Sequence, residues 1–468
     1  MSNGSQKVAL ERRLRKQQAL LEKQQEAARL AGSASASQEG AGAAQPGLFL
    51  GDIQPLPCDR WVAMSALQKA IRRGQVETAK RAVRTLLVTG KVEAVWKRLL
   101  IIGFEDIGLG SIDALLMVCA LASEKAIRAE YESELAALDA VVIELCQAPK
   151  DRSADLLYSI AKFDPALSGF RSMLDGKSDA ERLGLLAQRS LSLYERAALV
   201  LHIVNARGKV TAGTVTEVLA SLGGVAPEGV RSGSATSGSS VTHDKLSGHK
   251  LTGHKRTGDK LTPGRDSGPK VTGAIVDDLL RCFAGLGVSN TLLAMIKVSA
   301  YKAQEPMCLM MMPLWLDQRI RIDRPSSKPS TYPASKPAWQ LEHGVPLAAL
   351  DGFTRLGRKA ISIFAADTEA VRACVEALPK QHVAAAMRLA VFYADSAVTY
   401  PALNWQHQRE VQTRGIAADF AGFNITSTQA MTLVDTVRTN LNHLNAIRRN
   451  LLVGLRAGTP TGMDTPET

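Results

Sequence analysis

Glu105 and Asp106 stand side by side in "KRLLIIGFEDIGLGSIDAL" (97–115), after the apolar run Leu99–Ile102 and just before Gly108 and Gly110. Two neighbouring carboxylates beside glycines are raw material for a general acid–base pair or a divalent-metal site. On a regular helix, consecutive side chains are turned by about 100°, so the two acids cannot both face one ligand. They fall in the last turn before Gly108, where the negative helix end disfavours a carboxylate by a few tenths to about 1 kcal/mol. Their presence asks for compensation. The candidates are the positive start of the next helix, with Ser111 as its cap and Asp113 behind it, or Arg98, or a neighbouring subunit. The pattern predicts an inter-helix or oligomer contact built from Arg98, Glu105 and Asp106. Replacing both acids by lysine would then change the oligomeric state more than the fold.

Other chemistry is thin. "GFRSMLDGKS" ends in Gly176-Lys177-Ser178, but a phosphate-binding loop needs glycine where Arg171 stands, and no aliphatic strand leads in. His243, His249 and His254 lie in a polar repeat at spacings of six and five and could bind a metal adventitiously, but a defined zinc site needs four converging ligands, and the remaining histidines are isolated. No nucleophile elbow or H-E-x-x-H pair is present. The sequence therefore assigns no catalytic residue, no metal ligand and no cofactor. Cys58, Cys119, Cys146, Cys282, Cys308 and Cys374 form no C-x-x-C pair, which fits a reducing compartment and predicts a cytoplasmic location. The N-terminus has charges where a signal peptide needs its apolar stretch, and no run is long enough to span a bilayer.

The elements that would position these residues are helical. Trp61-Val62, Met64, Leu67 and Ile71 recur at helical spacing up to Gly74. Val76, Ala79, Val83 and Leu86-Leu87 do so up to Gly90, and Val92, Val95-Trp96, Leu99 and Ile102 make a third helix. Further helical runs follow at 112–123, 134–147, 153–162, 180–190 and 192–206. The expected fold is all-α: a multi-helix domain over 61–222 and a second helical block over 338–453, with a helical segment over 272–323 packing on a core. Composition predicts a charged helix over 1–30, a flexible linker over 31–60, a basic disordered linker over 223–271, a Pro/Ser-rich linker over 324–337 and a loose tail over 454–468.

The 468 residues exceed what one core usually holds, and the net charge of +12 is unevenly spread. Residues 1–30 carry +4 and residues 231–270 carry +5, leaving the helical body nearly neutral. In "KLSGHKLTGHKRTGDKLTPG", Lys245, Lys250, Lys255, Arg256 and Lys260 are spaced to neutralise phosphates along an extended chain, which points to nonspecific DNA binding. No aromatic residue interleaves them, so base stacking is not expected from this repeat. A solubilising linker is the competing reading.

The stretch 65–115 resembles the C-terminal, clamp-loader-like helical (collar) domain of replication-associated recombination protein A, the MgsA-type AAA+ ATPases. Ser65, Ala66, Leu67, Lys69, Ile71, Arg72, Gly90, Arg98, Leu99 and the pentapeptide Glu105-Asp106-Ile107-Gly108-Leu109 match that family's pattern in order. A fainter echo lies in "ALDGFTRLGRKA" (349–360), where D-x-H-T-x-x-G would be expected and Phe353 replaces the histidine. The resemblance implies a collar that oligomerises and serves replication-fork maintenance. With 60 residues before Trp61, ATP hydrolysis is not carried over. Gln45, Leu48 and Phe49 in "QPGLFLGDI" look like the pentapeptide with which bacterial proteins dock on the sliding clamp, although Pro46 stands where Leu is usual. Alternatively, Leu48 and Phe49 pack on the first helix. The expectation is a non-catalytic homo-oligomer of DNA replication or repair. Its partners would be DNA, the sliding clamp or an ATPase subunit in trans, with no membrane. The competing expectation is a nucleic-acid-processing enzyme of phage or mobile-element type.

Overall fold

The first helix of the described residues, α1 (Arg60–Arg73), starts where Asp59 accepts hydrogen bonds from the Trp61 and Val62 amides (2.8 and 2.9 Å). It ends at Gly74, whose φ of +68° closes the last turn by returning its N–H to the Ala70 and Ile71 carbonyls. That turn folds α2 (Val76–Thr89) back against α1, and α3 (Val92–Ile102) follows. The computed structural model describes residues 53–188, 190–205, 273–303, 305–318, 340–396 and 408–457.

The helices continue as α4 (Ile112–Ser123), α5 (Glu134–Gln147), α6 (Ser153–Phe163), α7 (Ser168–Asp175), α8 (Asp179–Leu186) and α9 (Leu193–Asn205). Beyond the undescribed stretch lie α10 (Gly273–Gly285), α11 (Asn290–Lys302) and α12 (Met311–Gln318). Six further helices follow among the described residues, beginning with α13 (Arg355–Asp367), α14 (Glu369–Glu376), α15 (Val383–Val391), α16 (Gln408–Ala421) and α17 (Ser427–Thr439). The last, α18, spans Leu441–Ala457. The fold is all-α. Its strand content among the described residues is a two-residue ribbon, β1 (Leu341–Glu342) against β2 (Val345–Pro346), turned by His343 and Gly344 at positive φ.

The helical segments read separately in the sequence share one hydrophobic core. α16 lies along α6, α18 along α13, and α11 against α4. Gly415 in α16 makes the first contact possible, because a Cβ there would stand 2.7 Å from the Leu156 Cβ. Sequence and structure agree closely on the first helices. The run expected over 180–190 stops at Leu186, and Gly176-Lys177-Ser178 is the link between α7 and α8. There Ser178 and Glu181 form a reciprocal capping box. That local chemistry is helix initiation, not phosphate binding. No helix among the described residues is long and apolar enough to cross a membrane.

Candidate functional site: the buried charged centre

On α1, Ser65, Gln68, Lys69 and Arg72 recur at i, i+3, i+4 and i+7, a polar stripe along one face. All four are buried, as is Arg73. Apolar periodicity finds the helix but not this burial, because nothing in α1 itself says what will face the stripe.

Glu105 and Asp106 answer one end of it. The segment Gly103–Ile107 is a π-helical turn, closed by the Gly108 amide on the Gly103 carbonyl. The regular-helix expectation therefore fails here. Both carboxylates reach the same two guanidiniums. Arg72 donates through Nε to Asp106 Oδ1 (2.5 Å) and through Nη2 to Glu105 Oε1 (3.0 Å). Arg152 donates through Nη1 to Asp106 Oδ1 (2.5 Å) and to Glu105 Oε1 (3.4 Å), and through Nη2 to Asp155. Burial pulls Arg152 down, but Asp155, Asp106 and Glu105 outweigh it and hold the guanidinium above its usual range. Arg98 joins indirectly: it donates to Gln68 Oε1, whose Nε2 donates to Asp106 Oδ2 (3.1 Å). Ser111 caps α4 through the Ala114 amide with Asp113 in the first turn, as the sequence suggests.

Gly108 brings Arg152 into place. Its φ is +51°, and a Cβ would stand 2.5 Å from the Asp151 carbonyl oxygen. The loop carrying Asp151 and Arg152 therefore rests on a bare backbone, and the Asp151 amide donates to the Asp106 carbonyl (3.0 Å). Lys150 fixes the same loop by donating to the Leu145 and Cys146 carbonyls at the end of α5 (2.9 and 3.0 Å). Gly108→Ala should lower stability by about 2 kcal/mol or more, through backbone strain and overlap. A urea-unfolding midpoint equal to wild type would contradict this role.

Lys69 and Ser65 meet Asp351, from the second helical block. Ser65 Oγ donates to Asp351 Oδ2 (2.8 Å), and Lys69 donates to the same oxygen and to Ser65 Oγ (2.6 Å). The ammonium holds the Asp351 carboxyl below its usual range against the opposing effect of burial. The D-x-x-T-x-x-G echo is thereby explained. Asp351 Oδ1 accepts from the Phe353 amide (2.9 Å), and Thr354 caps α13 through the Gly357 amide (3.1 Å). Gly357 must lack a side chain, since a Cβ there would sit 2.0 Å from the Asp351 carbonyl oxygen. The position expected to hold histidine carries an exposed Phe353 ring.

Arg73 and Arg448 close the centre through Asp395, in a second π-helical turn, Phe392–Ser396. Arg73 Nη2 donates to the Asp395 carbonyl (2.6 Å). Arg448, fully buried on α18, donates to Asp395 Oδ2 (2.7 Å), Asn445 Oδ1 (2.9 Å) and the Leu350 carbonyl (3.0 Å). The Arg72 and Arg152 guanidiniums both lie against the Phe392 ring, 5.2 and 5.1 Å from its centroid. Five cations, Lys69, Arg72, Arg73, Arg152 and Arg448, thus face five carboxylates, Glu105, Asp106, Asp155, Asp351 and Asp395. The charges balance, and Glu105 and Asp106 are committed to arginines instead of standing ready as a base or ligand pair. Among the described residues, no group of three or more His, Cys, Asp or Glu is arranged to hold a metal ion.

Neither a family model nor a solved structure matches the chain. A stretch of 109 residues is 37% identical to Replication-associated recombination protein A of Bacillus subtilis (strain 168). The match covers 23% of this chain and 24% of that protein, so the chain spans about a quarter of the length of the curated relative it matches. This supports a relation to that family. Of the fourteen residues that carry the resemblance read from the sequence, seven belong to or brace the buried centre: Ser65, Lys69, Arg72, Arg98, Glu105, Asp106 and Gly108. The basic-repeat residues Lys245, Lys250, Lys255, Arg256 and Lys260, and the clamp-type residues Gln45, Leu48 and Phe49, lie outside the described residues. Sequence reasoning missed Arg152, Asp351, Asp395, Phe392 and Arg448. Only Asp351 left a signal, in the D-x-x-T-x-x-G echo.

Proposed function

We propose that this chain is a non-catalytic, oligomeric helical protein of the cytoplasm that serves DNA replication or repair. Its buried charged centre holds a collar-like helical body together, and its basic segments bind DNA. The observation that carries this reading is the similarity to Replication-associated recombination protein A. The balanced, arginine-committed carboxylates fit a scaffold better than a catalytic pair. Lys245, Lys250, Lys255, Arg256 and Lys260 neutralise phosphates, while Gln45, Leu48 and Phe49 offer a peptide to a sliding clamp. An ATPase subunit supplied in trans is the further partner this reading names.

Binding of labelled DNA by the pure protein should weaken steeply as salt rises, because each neutralised phosphate releases counterions. Light scattering should give a mass above that of one chain, and ATP should not be turned over. DNA affinity indifferent to salt, or metal-dependent cleavage of the DNA, would overturn the proposal.

A further inference from the structure

Two large aromatic rings stand exposed, Trp61 at the start of α1 (62%) and Phe353 just before α13 (63%). The buried centre links the backbone segments that carry them. Trp61 lies one helical turn before Ser65 on the same face of α1, Ser65 bonds Asp351, and Asp351 holds the Phe353 amide. Neither ring is positioned by burying itself. The backbone beneath each is fixed by a cap, Asp59 for α1 and Thr354 for α13.

The surroundings are basic. The Arg60 guanidinium lies 5.1 Å from the Trp61 ring centroid. Arg355, Arg358 and Lys359 are exposed on the first turns of α13, with Arg358 Nη1 3.4 Å from the Phe353 carbonyl oxygen. Of the acids beside these segments, Asp351 is paired with Lys69, while Asp59 caps α1 and remains an exposed carboxylate that Arg60, Arg355, Arg358 and Lys359 outnumber. We infer that Trp61 and Phe353, with Arg60, Arg355 and Arg358, form a stacking site for single-stranded nucleic acid. The inference rests on the reading that the chain works on DNA, and it names the part of the body that takes the bases. Exposed rings on rigid backbone offer faces to unpaired bases, and the flanking guanidiniums meet the phosphates. A duplex keeps its bases stacked internally, so only its backbone charge would be recognised here.

The test is fluorescence anisotropy on the full chain with labelled oligothymidylate and with a duplex of the same length, at several salt concentrations. Wild type should prefer the single strand. Trp61→Ala with Phe353→Ala should bind oligothymidylate at least about tenfold more weakly and bind the duplex almost unchanged. Trp61→Phe with Phe353→Tyr should retain the preference. Both side chains are exposed, and an unchanged unfolding midpoint will show that the fold is intact. Charge reversal of Lys245, Lys250, Lys255, Arg256 and Lys260 should weaken both DNAs alike while keeping the single-strand preference.

If the alanine pair binds oligothymidylate like wild type while the charge-reversed repeat loses binding, the inference falls and the proposed function stands. If the alanine pair instead lowers the mass seen by light scattering and leaves DNA affinity alone, the rings serve an interface between copies and the inference falls. Wild type that binds neither DNA overturns both.

Discussion

Asp106→Ala is expected to be among the most damaging single substitutions in the chain, costing about 3–5 kcal/mol, as when one partner is removed from a buried ion pair. Asp106 is fully buried, and its Oδ1 is the common acceptor for Arg72 Nε and Arg152 Nη1. Removing it leaves two guanidiniums in the interior with the more distant Glu105 contacts as partial compensation. Neither arginine can escape by losing its proton. Glu105→Ala should cost less, because its contacts with the same arginines are longer, at 3.0 and 3.4 Å. Urea-unfolding midpoints followed by circular dichroism would rank the two. A shift for Asp106→Ala no larger than for Glu105→Ala would mean that the centre is held by something other than this carboxylate. The same burial revises what lysine at both positions would do. Two added cations beside Arg72 and Arg152 should prevent folding instead of altering association alone.

The helices were legible because apolar spacing, glycine stops and capping residues are local. α1 to α3 end at or next to the glycines and apolar boundaries that the sequence marks. The function of Gly108 was only half legible. A helix stop is visible from its position, but the approach of the Asp151 backbone, about forty residues later, is not. The π turn at Gly103–Ile107 was hidden for a related reason. Its composition reads as helix, and the arginines that draw two adjacent acids to one side come from α1 and from the loop after α5. Arg152, Asp395 and Arg448 each look like ordinary surface charges in their own segments. Their burial is a property of the assembled core, where each cation is buried only because a carboxylate from another segment meets it.

The second large effect concerns Lys69 and Asp351, which join the first helical segment to the second block. Lys69→Met should leave the buried Asp351 with only the Ser65 hydroxyl and the Phe353 amide, and Asp351→Leu should leave Lys69 without that anion; each should cost about 3–5 kcal/mol near neutral pH. The two single variants should respond to pH in opposite senses. In Lys69→Met, burial without the ammonium raises the Asp351 carboxyl above its unfolded value, so the penalty shrinks as pH falls and the group protonates. In Asp351→Leu, burial keeps the Lys69 ammonium below its unfolded value, so the penalty shrinks as pH rises. Wild type differs from Lys69→Met at its carboxylate, while burial holds its Lys69 ammonium below the ordinary value as in Asp351→Leu, though Asp351 opposes that effect. Its Asp351 is held below the unfolded value of about 3.9, so that stabilisation is complete above that pH and is lost as pH falls through the folded value. Asp151 and Asp419, raised by burial, work against that loss on the acid side, since each binds its proton more tightly when folded. Lys69→Met with Asp351→Leu should recover part of the stability and flatten both trends, because an apolar pair has no charge to desolvate. Unfolding midpoints of the four proteins from about pH 3 to about pH 10, roughly from the ordinary carboxylate range to the ordinary ammonium range, would show it. Parallel pH trends in the two single variants would mean that Lys69 and Asp351 do not share one buried interaction, and the junction between the segments would have to rest on Arg73, Asp395 and Arg448.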